Sequence, residues 1–367
     1  MRILVAPDKF AGTLTAPEAA RAIAEGWQRR KPDDVLTLAP MADGGPGFVD
    51  VLAEALDGEI LAATVHGPLG TEVPLSMLHA GDTVYIESAQ ACGLHLVETR
   101  EPLRATSYGV GEAIRAAVDA GARRLVIGLG GSATNDGGAG LLGALSAVAD
   151  RPLDQGPEGL AGITTCDLTA TRGLLDGIEL VIATDVDLPL LGMFGATKTF
   201  GPQKGLWESD VMRVDGILDS FVVAACGSAP SQRKAADDKG AGAAGGLGFA
   251  LLLLGATRVS GIELVADAAG LEARAAQHDL VVTGEGTFDY SSRAGKVVYG
   301  VAQSAAAAAR PCIVLAGRVT VGSRETRAMG VESAYSVVDL VGEDESLGNA
   351  HTSLSRLAER VARTWSP

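Results

Sequence analysis

Seven acidic side chains stand where an apolar run gives way to polar or glycine-rich sequence: Asp8, Asp43, Asp136, Asp185, Asp187, Glu285 and Asp289. Three cations, Lys9, Lys204 and Lys296, occupy comparable loops in a chain with few lysines. Phosphoryl transfer needs carboxylates for a divalent cation, a cation for the transferred group, an orienter for the acceptor hydroxyl and backbone that cradles phosphate. The backbone candidate is Val126–Gly140, VIGLGGSATNDGGAG. Gly130 and Gly131 lack the Cβ that blocks close approach of an anion, and a following helix adds partial positive charge. Ser132, Thr134, Asn135 and Asp136 add side-chain chemistry that a packing turn does not require. A second glycine-rich stretch, Gly240–Gly248, offers Gly242, Gly245 and Gly246. Plain helix–sheet packing is the competing use of such glycines. Asp185 and Asp187 lie two apart, so extended backbone through them would point both to one side, around one hard cation.

These loops need strands and helices to hold them. Ile3–Ala6 reads as a short strand, followed by a capping-box pattern at Thr15 and Glu18 and a helix Ala16–Arg30. Val35–Leu38 is a second strand, and Phe48–Leu56 a second helix. This βαβα opening implies a parallel sheet whose ligand loops follow the strand ends. From Glu59 the pattern changes to Glu59–Val65, Glu72–His79 and Thr83–Ser88, which read as antiparallel strands at the start of an inserted domain. A helix at Gly109–Ala120, a helical run at Leu141–Val148 and a strand at Glu179–Ala183 follow. The charged stretch Arg233–Lys239 reads as exposed. Leu280–Thr283, a polar loop over residues 290–296, a helix Val297–Ala309, strands Pro311–Ala316 and Ala334–Asp339 and a helix Leu354–Thr364 repeat the opening's alternation. The two ends of the chain are therefore expected to share one sheet.

Composition narrows the classes. A chain of 367 residues with 47% hydrophobic and 20% charged content is long enough for two globular domains. A net charge of −15 argues against nucleic acid and against an anionic membrane surface as partner. The cysteines Cys92, Cys166, Cys226 and Cys312 form no paired motif, and Met1 leads straight into a strand, so a cytoplasmic location is expected. There is no GxxxxGK[ST], since Val297 follows Gly295-Lys296, and no nucleophile elbow surrounds Ser132. The histidines show no metal-ligand spacing.

The loops taken together resemble the bacterial class I glycerate kinase family, nearly end to end. Pro7-Asp8-Lys9-Phe10-Ala11-Gly12-Thr13-Leu14 is similar to PDSFKGSL, and Met41–Gly47 to MADGGEG. Ile127–Gly140 is similar to IGIGGSATNDGGAG and Thr184–Pro189 to CDVDNP. Phe200–Gly205 reads FGPQKG, and Thr283–Asp289 is similar to TGEGRLD. Three departures from the pattern span four positions. Ala11 stands where the family has Lys while Lys9 replaces Ser, Pro46 replaces Glu, and Leu188 replaces Asn. These departures bear on substrate affinity and preference.

The resemblance implies ATP- and Mg²⁺-dependent phosphorylation of D-glycerate to 2-phosphoglycerate. It implies a flavodoxin-like α/β domain of residues 1–60 and 271–367, interrupted by a restriction-endonuclease-like α/β domain of residues 61–270, with the active site in the cleft. Within that frame Asp185 is expected as base or orienter and Lys204 as the cation on the transferred group. Asp187 and Glu285 are expected at Mg²⁺. Asp8, Lys9, Asp43, Asn135 and Asp136 are expected at the substrate, and Gly130, Gly131, Ser132, Thr134, Gly242, Gly245 and Gly246 at the nucleotide. A homo-oligomer is compatible with the sequence. A kinase for another small hydroxy acid and a ligand-binding homologue without turnover remain open alternatives.

Overall fold

The computed structural model describes residues 1–293 and 296–367. Of the polar loop read over 290–296, Ala294 and Gly295 lie outside the described residues. In chain order the main elements are β1 (Arg2–Val5), α1 (Ala16–Arg30), β2 (Val35–Leu38) and α2 (Phe48–Ala55). Next come β3 (Glu59–His66), β4 (Glu72–Ala80), β5 (Thr83–Glu87), α3 (Tyr108–Asp119), β6 (Arg124–Gly128) and α4 (Ala139–Ala144). β7 (Glu179–Ala183), α5 (Glu208–Cys226), α6 (Leu247–Leu253) and β8 (Thr257–Val259) follow. The chain ends with α7 (Gly261–Ala268), β9 (Leu280–Thr283), α8 (Val297–Ala307), β10 (Cys312–Ala316), β11 (Ser333–Ser336) and α9 (Ala350–Trp365).

Two compact units result. The first comprises residues 1–43, 50–56 and 260–367, and the second residues 44–49 and 57–259. The bounds differ from the sequence reading at residues 57–60, which go with β3 in the second unit, and in two further places. Helix α7 belongs to the first unit, because Ile262 fills the space beside Gly300 of α8, where an added Cβ would lie 2.5 Å from Ile262 Cγ1. The short segment 44–49 belongs to the second unit, because Glu87 Oε2 accepts from the Gly47 and Val49 backbone N–H groups at 3.0 and 3.4 Å.

In the first unit the strand order is β11-β10-β9-β1-β2, all parallel. Counted within the unit this is 2-1-3-4-5, the flavodoxin-like order, in which the strand sequence reverses between the first and third strands. Both chain ends do share one sheet, as the alternation of elements suggested. Helix α1 starts where Thr15 Oγ1 accepts from Glu18 N while Glu18 Oε2 accepts from Thr15 N, closing both orphan donors. Its buried stripe includes Ala19, Ile23 and Trp27. Trp27 Nε1 donates to Asp34 Oδ2 at 2.9 Å, which satisfies the one polar atom of a fully buried ring. Gly26 lets α1 lie directly on α9: a Cβ there would sit 1.9 Å from the Ser355 carbonyl.

The second unit holds a six-stranded mixed sheet whose strands follow one another in chain order from β3 to β8. β3, β4 and β5 are antiparallel, and β5 to β8 are parallel. The run read as helix Leu141–Val148 is shorter. It stops at Ala144, and Ser146 takes a φ of 73° that a helix interior excludes. The strand read to Asp339 stops at Ser336, whose Oγ accepts from Asp339 N and caps a short helix. In the stretch Arg233–Lys239 a short helix, Lys234–Asp237, buries Ala236. No helix among the described residues is long and apolar enough to cross a membrane.

Candidate functional site

Five of the sequence-read carboxylates and the main glycine-rich loop follow the carboxyl ends of parallel strands. Asp8 follows β1, Asp43 follows β2, Glu285 and Asp289 follow β9, and Asp185 follows β7. Open α/β sheets place ligand groups at such ends.

In the first unit the loops after β1 and β9 are tied together, Asp8 N donating to the Gly284 carbonyl at 2.8 Å. Lys9 Nζ lies 3.5 Å from Asp8 Oδ1 and 3.6 Å from Asp43 Oδ1, bridging two carboxylates. Burial lowers the Lys9 ammonium, but Asp43 and Asp8 outweigh it and hold the group above the usual lysine range. Asp8 is 7% exposed. Burial pushes its carboxyl up to about 6, and Asp43 adds to the effect while Lys9 opposes it. Burial likewise raises Glu285 to about 7, against the hydrogen bond from Ser292 and the charge of Lys296 3.9 Å away. These groups line a cavity of about 350 Å³. Ala11 lines it too, so positions 9 and 11 face the same cavity.

The second unit's Gly-rich loop is organised differently. Asp136 is fully buried. Its Oδ2 accepts from Ser107 N and Ser107 Oγ at 2.8 Å and from Gly140 N at 3.2 Å, and its Oδ1 accepts from Gly138 N at 3.0 Å. Burial still raises its pKa above the ordinary value. Four bonds to one carboxylate make it an anchor for the loop and for the start of α4, and no oxygen faces solvent.

Lys204 is 3% exposed and donates to Ser132 Oγ at 3.0 Å and to the Thr134 carbonyl at 2.5 Å. Burial lowers it to about 8, opposed by Cys92 and Asp136. It therefore pins the loop from inside. Asn135 is 1% exposed. Its Nδ2 donates to Thr197 Oγ1 at 3.0 Å, and its Oδ1 has no hydrogen-bond partner among the described residues.

The glycines expected to admit a nucleotide are occupied by backbone. A Cβ on Gly245 would lie 1.9 Å from the Thr134 carbonyl, and one on Gly246 2.4 Å from Gly137 Cα. On Gly242 it would meet the Pro189 carbonyl at 2.4 Å, on Gly130 Gly45 Cα at 2.8 Å, and on Gly131 Pro46 Cγ at 2.8 Å. Gly137 N donates to the Gly245 carbonyl at 3.0 Å. The two glycine-rich stretches pack on each other, which is the packing use set against the phosphate-cradling one.

Asp185 and Asp187 do not continue β7, which ends at Ala183, so strand alternation does not reach them. Thr184 turns the chain, its Oγ1 accepting from Val186 N at 3.3 Å. Asp185 is half-buried. Asp187 is exposed and lies between two cations, Lys239 Nζ at 3.0 Å and Arg258 Nη2 at 2.5 Å. The Lys239 hydrogen bond, with Arg258 beside it, holds Asp187 below the usual carboxylate range. Glu285 belongs to the first unit and Asp187 to the second. Among the described residues no group of three or more His, Cys, Asp or Glu side chains is placed to hold a metal ion. Ser107, Thr197, Lys239 and Arg258 were not singled out from the sequence. Each lies at least 29 residues from its partner, and no local pattern marks it.

The comparisons agree along the whole length. A family model described as "Glycerate kinase family" matches residues 3–366. A Bacillus subtilis protein named glycerate kinase is 40% identical, covering 99% of this chain and 97% of that protein. An Escherichia coli protein named glycerate 2-kinase is 39% identical, covering 99% and 98%. A crystal structure provisionally assigned as glycerate kinase 2 from Salmonella typhimurium LT2 superposes with a TM-score of 0.78 at 39% identity, covering 99% of this chain and 98% of that one. A match of this extent, carried by loops at the strand ends, leaves one conclusion: the chain belongs to the glycerate kinase family.

Proposed function

We propose that the chain transfers the terminal phosphoryl group of ATP to the 2-hydroxyl of D-glycerate by direct in-line displacement. The observation that carries this is the placement of Asp8, Asp43, Asp185 and Glu285 at strand carboxyl ends in a chain aligned end to end with a protein named glycerate 2-kinase. Lys9, charged across the neutral range, would meet an anionic group of the substrates, with Asp43 and Asp8 fixing its position. Asp185 would orient the attacking hydroxyl and take up its proton. Asn135 Oδ1, buried and without a partner among the described residues, is the polar atom of its loop left for a ligand. Lys204 and Asp136 act as positioning residues that hold this loop rather than touching substrate.

Magnesium, when bound, neutralises phosphate oxygens and takes few protein ligands. Glu285 and Asp8 fit it: both are oxygen donors in one cavity, and burial raises both carboxyls above their ordinary values against the nearby lysines, a cost that a bound cation would offset. Asp187 fits it less well, since Lys239 and Arg258 already engage its two oxygens.

The test is ADP release with D-glycerate, ATP and Mg²⁺, with the product resolved by position. 2-Phosphoglycerate supports the reading, and 3-phosphoglycerate removes the regiochemistry while leaving the kinase. No turnover from folded protein that binds ATP moves the substrate to another hydroxy acid. That second reading is favoured by Lys9 and Ala11, which remodel the charged lining of the cavity.

A further inference from the structure

We infer that the cavity of the first unit is the nucleotide site, with adenine against its apolar wall and the phosphates toward Lys9 and Lys296. This rests on the kinase reading and departs from the expectation that the glycine-rich loops of the second unit hold the nucleotide.

Position is the first argument. The cavity lies over the ends of β1 and β9, where the flavodoxin-like order reverses and neighbouring loops leave in opposite directions, which opens a crevice. It continues past Gly317, after β10, and Val337, after β11. Four adjacent strand ends at about 4.8 Å spacing span roughly 14 Å, a nucleoside's length rather than a three-carbon acid's.

Polarity is the second. Asp8, Lys9, Glu285 and Lys296 line it beside β1 and β9, whereas Val337 lines it two strands away after β11, and Leu347 and Leu354 add apolar wall. Glycerate has no apolar face to cover those side chains, whereas a purine has one. Leu347 is 61% exposed on this wall, a large apolar side chain that a bound base would cover. A volume of about 350 Å³ falls in the range of pockets that enclose drug-sized ligands.

The third argument is the packing of the glycines. Gly242, Gly245 and Gly246 each face backbone at 2.4 Å or less from where a Cβ would stand, so the contact between loops accounts for these glycines without a nucleotide.

The experiment measures equilibrium binding to the full chain in Mg²⁺ by calorimetry, with ADP, adenosine and inorganic tripolyphosphate as probes. Leu347→Glu places a charge at the proposed base position, and Ala350→Phe crowds the apolar wall. Both sites are at least partly exposed, and a thermal melt of each variant confirms folding. Adenosine should compete with ADP. Each variant should weaken ADP by about tenfold or more, while tripolyphosphate affinity stays the same. ADP affinity unchanged in both folded variants overturns the assignment and leaves the kinase reading intact. Failure of the unaltered chain to bind ADP removes the kinase reading, and this inference with it.

Discussion

Gly245→Ala separates a packing glycine from a ligand-cradling one. Gly245 has a φ of +70°, and its missing Cβ would stand 1.9 Å from the Thr134 carbonyl. The left-handed backbone alone costs an L-residue about 1–2 kcal/mol, partly offset by the reduced freedom of the unfolded chain. The contact adds more. The loops must part by over an ångström, which strains a packed region by about 1–3 kcal/mol and breaks the Gly137–Gly245 hydrogen bond, worth about 1 kcal/mol. The sum is about 4 kcal/mol. Gly12→Ala is the control: its φ is +80° and nothing lies within 4 Å, so only the backbone term applies, about 1 kcal/mol. Thermal unfolding followed by tryptophan fluorescence and circular dichroism should show Gly245→Ala melting roughly 6–12 °C below Gly12→Ala, at about 2–4 °C per kcal/mol for a unit of this size. Melting temperatures within about 3 °C of each other, with nucleotide affinity lost only in Gly245→Ala, would refute the packing argument and restore the loop as a phosphate cradle.

Three further outcomes follow from the site. Glu285 has a native pKa of about 7 against a reference of 4.5, so its contribution to stability is present below pH 4.5 and is lost as pH rises to about 7. Glu285→Gln should gain on the unaltered chain across that window by a few kcal/mol in urea titrations without Mg²⁺, and a constant difference from pH 4.5 to 8 contradicts the assignment. Lys204→Met leaves the Thr134 carbonyl buried without its donor and should cost about 1–3 kcal/mol in denaturant titrations, with turnover falling as the loop loosens; full stability would mean that the lysine does not anchor it. Asp185→Asn should lower kcat by about two decades or more with little change in melting temperature, and near-normal kcat removes the residue from the reaction.

Much of this architecture is legible along the chain because it is written in short-range patterns. Thr15 and Glu18 mark the start of α1 within one turn, and the apolar runs at Glu179–Ala183 and Leu280–Thr283 coincide with buried strands. The positions of Asp8, Asp43, Asp185 and Glu285 at strand ends follow from the same alternation. What local pattern cannot carry is which loop meets which. The contact between Thr134 and Gly245 joins residues more than a hundred positions apart, and it is what brings the two glycine-rich stretches together. Asp187 looks like a metal ligand beside Asp185 until Lys239 and Arg258 arrive from distant segments. Asp136 reads as chemistry because acidic residues among glycines usually face a ligand; here they face backbone N–H groups, a distinction that depends on where the loop folds back to Ser107.

The first unit's sheet has a consequence for how the protein is made. β1 is flanked by β2, which follows it at once, and by β9, which begins at Leu280. A ribosome adding about 5–20 residues per second takes roughly 15–55 s to travel from Val5 to Leu280. Through that interval the nascent amino-terminal segment carries Ile3, Val5, Ile23 and Trp27 without the strands and the closing helix that bury them in the finished fold. The second unit, by contrast, can close while its own stretch of chain emerges. Synthesis from the amino end thus completes the inserted unit before the one that hosts it, and β1 and α1, made ahead of the inserted unit, wait for partners made after it.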